Sequence, residues 1–432
     1  MSVALSLTEY PDILKITDEI RRKAEDRQYL VSDVILEKDG FEYQFVDLVM
    51  EGGGTLGIAL VGYIHALEQA GIRFLGIGGS SVGAIVALLA YCFGERMEAK
   101  GEKLAVAIAD MNLGEMLDGN YFARKLSILL GSQDVSFKVP KIILNALLAA
   151  PQLLKKIGLN PGEKLYEWIA ARLKENGINT LEDMERLINA LPEGMKRRGT
   201  GAAITDYNTS LRIVAADITT STKVIFPDMA EMYFPEPKDV NPASFARASA
   251  SIPFFFQPFA VSGISQLIGN NEKWERLGGF TGDLPDKVSF ADGGLLSNFP
   301  IDLFKRQGMI PRAPTLGARL SDKDRSVRDP SPIGRYLGNL FIALQHCADY
   351  DFIFKNPLYK HLITHIPTNQ YHWLDFNMSD ANKLGLFLEG VRAGYDFLER
   401  FDWEGYKSLR EAELKVNHAH ESMLQRRNAA RS

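Results

Sequence analysis

Short apolar runs and glycine-rich breaks alternate early in the chain, and that rhythm predicts its elements. Tyr43–Met50 (YQFVDLVM) is rich enough in aromatic and β-branched residues to be a strand. Gly57–Ala70 (GIALVGYIHALEQA) has apolar residues at helical spacing and stops at Gly71, which suits the left-handed position after a helix. Ile72–Ile77 (IRFLGI) predicts a second strand, Gly78–Gly83 a tight turn, and Ala84–Phe93 a helix with no polar face. A helix apolar all round has to be buried. The order strand, glycine loop, helix, strand, turn, helix is a βαβα unit. It predicts an α/β fold with a mostly parallel central sheet covered by helices on both faces.

The rest of the pattern is more mixed. Residues 1–42 are charged and predict an N-terminal helical extension, with a short amphipathic helix over Ile13–Arg27. Val139–Lys156 is apolar with lysines at its ends and is bracketed by Pro140 and Pro151, and Glu163–Lys174 has a clear amphipathic spacing. Lys196, Arg197 and Arg198 beside Gly199 and Gly201 predict an exposed loop. Strands are expected at Leu211–Asp217, Thr222–Phe226, Val288–Ala291 and Thr315–Leu320. Helices are expected at Pro242–Ala250, Gly334–Phe354 and Ser379–Arg400. No stretch reads as a linker. The expected organisation is one α/β domain over 43–400 with a helical insert at about 120–200, followed by a C-terminal helix or tail at 401–432.

Composition narrows the function. Hydrophobic residues make up 46% and charged residues 24% of the 432, which excludes wholesale disorder and fibrous structure. Two cysteines, Cys92 and Cys347, exclude a disulfide framework and a Cys-rich metal site. A net charge of −5 lacks the basic footprint of a general nucleic-acid binder. Met1–Tyr10 has no basic stretch followed by an apolar one, so no secretory signal peptide is expected. Phe74–Phe93 is broken by glycines and serines in its first half, and its continuous part, Ala84–Phe93, falls well short of the ~20 residues a membrane span needs.

Two glycine-rich turns carry the candidate chemistry. Gly52-Gly53-Gly54-Thr55-Leu56-Gly57 fits G-x-G-x-x-G between a strand and a helix, the dinucleotide fingerprint. That reading also needs an acid ~20 residues on to hold a ribose, and Gly76–Ser81 contains none. In the alternative reading, backbone N–H groups of this loop face the developing oxygen of a tetrahedral acyl intermediate. The second turn, Gly79-Ser80-Ser81-Val82-Gly83, is G-x-S-x-G between a strand and a helix, the spacing of a nucleophile elbow centred on Ser81. Its small residues let neighbouring backbones approach. A serine hydroxyl needs a base. None of His65, His346, His361, His365, His372, His418 and His420 sits in an obvious strand-to-loop motif; His361 and His365 are four apart but lack an acid in a metal-ligand position. Asp292 is the better candidate. It ends a short strand and precedes Gly293-Gly294, which permit a sharp turn.

At this point four ordered blocks resemble the patatin-like phospholipases. Gly52–Gly57 is similar to the family's oxyanion loop, and Gly79–Gly83 to its elbow. Arg247-Ala-Ser-Ala-Ser-Ile-Pro253 resembles its Ala/Ser-rich helix. Asp292-Gly-Gly-Leu-Leu-Ser-Asn-Phe-Pro300 resembles the block carrying its aspartate. The resemblance spans about 43–320. It implies a three-layer α/β/α fold and a Ser-Asp dyad without histidine. It also implies calcium-independent ester hydrolysis through an acyl-enzyme, with no cofactor and no metal. Carried over, Ser81 is the nucleophile and Asp292 the base. Gly53, Gly54 and Thr55 form the oxyanion hole, with Gly52, Gly57, Gly79, Gly83, Gly293 and Gly294 in support. One departure is Leu56, where the family usually carries Arg or Lys; this removes a positive charge beside the loop.

The implied substrate is a phospholipid or other acyl-ester lipid, of phospholipase A or lysophospholipase type, met at a membrane interface. Val139–Leu154 with Lys138, Lys141, Lys155 and Lys156 is a candidate lid, and Phe254–Phe256 a second apolar candidate. The expected location is cytoplasmic and peripheral at membranes, or inside a host after injection without a signal peptide. Two alternatives remain open here. One is acyl transfer with the same dyad. The other is a conditionally active effector, switched on by a protein partner or a signalling nucleotide.

Overall fold

Strands form where apolar, β-branched runs lie between glycine or polar breaks. In this computed structural model, residues 7–130, 155–188, 191–205, 210–267, 269–306, 313–321 and 349–412 are described, with a few single positions between them. The strands are β1 (Val34–Lys38), β2 (Phe41–Met50), β3 (Ile72–Ser80), β4 (Gly158–Asn160), β5 (Lys196–Arg197), β6 (Leu211–Asp217), β7 (Thr222–Phe226), β8 (Phe254–Phe256), β9 (Phe259–Ser262), β10 (Lys287–Ala291), β11 (Thr315–Arg319) and β12 (Ile363–His365). The main sheet runs β12-β11-β2-β3-β6-β10-β9, with β7 on β6 and with β1 bridging β2 and β5. Its five central strands, β12 to β6, are parallel. β4 and β8 pair apart from it as a parallel two-stranded sheet.

The helices of the βαβα unit follow its strands directly. Helix α1 (Pro11–Glu25) precedes the sheet, α2 (Gly57–Gln69) follows β2, and α3 (Val82–Cys92) follows β3. All but the last residue of α2 and all but the first of α3 are buried, as the lack of a polar face requires for α3. Gly71, at φ +76°, ends α2 and turns the chain into β3. The last long helix, Asp380–Arg400, lies across α2. A Cβ at Gly62 or Gly390 would collide with the backbone of the facing helix, so two glycines set that close approach. β11 is buried throughout, as a strand covered on both faces should be.

Several expectations change. The turn expected at Gly78–Gly83 contracts to one residue: β3 runs through Ser80 and α3 begins at Val82, leaving Ser81 between them. Of the exposed loop expected at Lys196–Arg198, Lys196–Arg197 is instead an edge strand on β1, with Arg198 in the turn that follows. Arg197 pairs with Asp33 at 3.0 Å and Arg198 with Glu42 at 2.8 Å, so acids beside β1 and on β2 draw the basic run inward. The candidate lid at 139–154 and the helix expected at 334–354 lie largely outside the described residues. Among the described residues no helix is long and apolar enough to cross a membrane.

Candidate active site

The elbow is a strain point held by its surroundings. Ser81 has φ +53° and ψ −124°, a conformation that L residues rarely adopt. Its N–H donates to Ser249 Oγ at 2.9 Å, and Ser249 Oγ donates to the Val214 carbonyl at 2.6 Å. The side chains of Gly79 and Gly83 are absent because a Cβ on either would press on the Met50 carbonyl. The N-terminal end of α3 faces Ser81 and favours negative charge there.

Asp292 reaches Ser81 through strand polarity. β6 has two edges, and β7 takes one along its whole pairing from Ile213 to Asp217. On the other edge β3 pairs from Leu211 to Val214, and β10 arrives from the opposite direction to pair with Asp217 and Ala216. The strand ends therefore meet head to head beside Ala215, Ser81 after one and Asp292 after the other. The strand that delivers Asp292 is thus antiparallel, not part of the parallel run that its place at a strand's C-terminal end suggested. Gly293 passes where a Cβ would collide with the Val214 carbonyl.

The contact is short and buried. Ser81 Oγ donates to Asp292 Oδ2 at 2.6 Å, and Gly294 N–H donates to Asp292 Oδ1 at 2.8 Å. Asp292 N–H donates to the Ser251 carbonyl at 2.9 Å. Both side chains are buried. Burial pushes the Asp292 carboxyl up to about 6, and the bonds from Ser81 and Gly294 moderate the rise. A carboxylate held this way can take the serine proton near neutral pH. Among the described residues the neighbouring Ser80 Oγ is buried without a partner.

The glycine loop is clamped on both sides. Gly52 N–H donates to the Asn298 carbonyl at 3.0 Å, and Asn298 Nδ2 donates to the Gly52 carbonyl at 3.2 Å. Glu51, just before the loop, accepts from Arg319 Nη2 at 2.9 Å and from Leu320 N–H at 2.7 Å. Gly52 lies against Ser81 and Gly57 against Val82, so both let the loop approach the elbow. Among the described residues no acceptor meets the N–H groups of Gly53 or Gly54, which leaves them open to an anion. Thr55 is a correction to the expected set of donors. Its N–H donates to the Trp373 carbonyl at 2.8 Å and is closed off in this conformation. Leu56 is buried in the core, so the position that departs from the family pattern serves packing here.

The histidines stay outside this arrangement among the described residues. His65 is buried beside Phe387 and Gln69, and burial, with the Arg21 charge, lowers its pKa to about 4. His372 comes nearest, through its carbonyl beside Thr55, while its ring Nδ1 accepts from Leu374 N–H at 3.3 Å. Ser249, Ser251 and Asn298 stand in blocks the sequence picked out, but their bonding roles come from the structure. Trp373 and Arg319 carry no local signal at all. No group of three or more His, Cys, Asp and Glu side chains among the described residues is placed to hold a metal.

Among curated proteins the chain is 27% identical over 364 residues to YqhO, an uncharacterized protein of Bacillus subtilis, covering 83% of this chain and 100% of YqhO. It is 54% identical over 44 residues to the lysophospholipase nte1 of Aspergillus niger, 10% of this chain and 3% of that protein. Among solved structures it is similar to VipD from Legionella pneumophila, with a TM-score of 0.39 at 15% identity, covering 93% of this chain and 80% of VipD. It is also similar to a chain of the ExoU–SpcU complex of Pseudomonas aeruginosa, with a TM-score of 0.33 at 16% identity, covering 89% of this chain and 60% of that one. The family model for patatin-like phospholipases matches residues 48–305, from the strand before the glycine loop to beyond Asp292. With more than half of its length inside that match, the chain belongs to the patatin-like phospholipases, a family of lipid ester hydrolases.

Proposed function

We propose that this protein is a calcium-independent lipid acyl hydrolase of phospholipase A or lysophospholipase type, working through Ser81 and Asp292. The observation that carries the reading is the buried 2.6 Å hydrogen bond from Ser81 Oγ to Asp292 Oδ2, beside two open backbone donors. Asp292 takes the Ser81 proton as Oγ attacks the ester carbonyl. The N–H groups of Gly53 and Gly54 stabilise the oxyanion. Collapse breaks the ester bond, and Asp292 returns the proton to the leaving alkoxide, leaving an acyl-serine. A water then attacks the acyl carbon with Asp292 again as base, and the fatty acid leaves with Ser81 restored. Gly294 N–H and the buried surroundings hold the carboxylate on the serine throughout.

The test is labelling of the purified protein by a fluorophosphonate in chelator, followed by product analysis on phospholipid and lysophospholipid. Labelling and fatty-acid release, both lost in Ser81→Ala, are expected. Turnover that persists in Ser81→Ala overturns the reading.

One observation favours a conditional form of the same enzyme. The Trp373 carbonyl holds Thr55 N–H, so the segment around residue 373 has to move before a third donor opens. Labelling that accelerates when lipid or a cell extract is added supports this form; a constant rate argues against it.

A further inference from the structure

Beside the site, two apolar residues stand in a backbone conformation that their side chains oppose. Ile157 and Phe254 have φ of +56° and +69°. Left-handed backbone is disfavoured for any L side chain, most of all for a β-branched one such as isoleucine. The two are neighbours, because Gly158, next after Ile157, is the register partner of Phe254 in the β4–β8 pair. Both face water, Ile157 63% and Phe254 67% exposed. Core packing therefore does not explain the strain. Lys155 and Lys156 precede Ile157, are exposed, and make no ion pair or hydrogen bond among the described residues.

The two strands that begin at this pair are tied to the active site at their far ends. Arg247 is buried, with Nη1 donating to Ser251 Oγ at 2.7 Å. Its other donors reach the carbonyls of Gly162 at 3.0 Å, Pro161 at 2.6 Å and Gln257 at 2.8 Å. One guanidinium thus holds the ends of β4 and β8 and the segment whose Ser251 carbonyl receives Asp292 N–H. Phe255 stacks on Phe376 at 5.9 Å, three residues from the half-exposed Trp373 at the glycine loop.

We infer that Ile157 and Phe254 form an apolar wedge that seats the active-site face in a lipid bilayer, with Lys155 and Lys156 taking anionic headgroups. The inference rests on the lipid-hydrolase reading for its purpose, though not for its contacts. Apolar side chains entering the boundary between headgroups and acyl chains leave water, and adjacent lysines meet the negative surface. The net charge of −5 opposes long-range attraction, so contact depends on this local patch.

The experiment is flotation of the full chain carrying Ser81→Ala, which prevents lipid turnover, with vesicles of equal phosphatidylcholine and phosphatidylglycerol. Ile157→Gly/Phe254→Gly removes the wedge and also its strain, so this variant should melt no lower than its parent. Its vesicle affinity should fall at least about tenfold. Lys155→Ala/Lys156→Ala should lose at least about fivefold on the mixed vesicles and much less on phosphatidylcholine alone. A parent that does not float, or a wedge variant that floats as well as the parent, overturns the inference. Turnover of a short-chain ester in solution by the unmodified protein, run alongside, reports separately on the hydrolase reading.

Discussion

Replacing Asp292 by Asn should abolish turnover and stabilise the protein at the same time. Asn keeps the shape and a hydrogen-bonding group, but it cannot accept the serine proton and carries no charge. Burial raises the Asp292 pKa from 3.8 to about 6. At ~1.4 kcal/mol per tenfold change in proton affinity, the ionised carboxylate costs the fold about 3 kcal/mol once the pH is well above 6. The sign follows from proton binding: between the two pKa values the native state holds the proton more tightly, so stability falls as pH rises through that window. The cost is about 1 kcal/mol at pH 4.5 and reaches about 3 kcal/mol at pH 8. With ~2.1 cal/mol/K of unfolding entropy per residue, a chain of 432 residues has ~0.9 kcal/mol/K. The variant should therefore melt about 3 °C above the wild type at pH 8 and about 1 °C above it at pH 4.5. Taking the difference between the two proteins at each pH cancels every other titrating group. Melting curves followed by circular dichroism at both pH values measure it. An equal difference at both pH values, or a variant less stable at pH 8, would refute the account of a carboxylate destabilised by burial.

Further outcomes follow from the same geometry. If ionised Asp292 is the base, log kcat/KM on a short-chain ester should rise with slope one below about pH 6 and level off above it; a profile flat down to pH 4.5 would exclude that role. Gly54→Ala puts a Cβ against the Trp373 carbonyl at φ +58°, so the loop has to shift, and turnover should drop about a hundredfold or more. Arg319→Met leaves the buried Glu51 carboxylate without its cation and should cost about 3–5 kcal/mol, read as a loss of some 3–5 °C in melting temperature. Restoring neutrality with Glu51→Gln in the same chain should recover much of that loss.

The chain's local order carried over to the structure where the physics is local. β2, α2, β3 and α3 stand where apolar periodicity and glycine breaks put them. Leu211–Asp217 and Thr222–Phe226 match β6 and β7 residue for residue. The extent of the turn at Ser81 was less legible. Gly78 and Gly79 look like breakers in sequence, yet pairing with β2 and β6 extends the strand through them. The basic run at Lys196–Arg198 shows the same limit. Composition favours a loop there, and the acids that draw it onto β1 lie more than 150 residues away, at Asp33 and Glu42.

What the sequence determined by itself is the elbow and its glycine loop. Strand, turn and helix within some forty residues follow from side-chain periodicity and from where only small residues fit, and both are nearest-neighbour properties. The sequence pointed to Asp292 as the acid through its motif, and only the tertiary structure decided how it meets Ser81, because Asp292 lies 211 residues further on and arrives on an antiparallel strand that meets β3 end to end along β6. It also decided that Thr55 N–H is closed by Trp373 and that Glu51 is neutralised by Arg319. Those contacts are made between the ends of separate strands and loops, where the sheet brings together residues with no periodic relation along the chain.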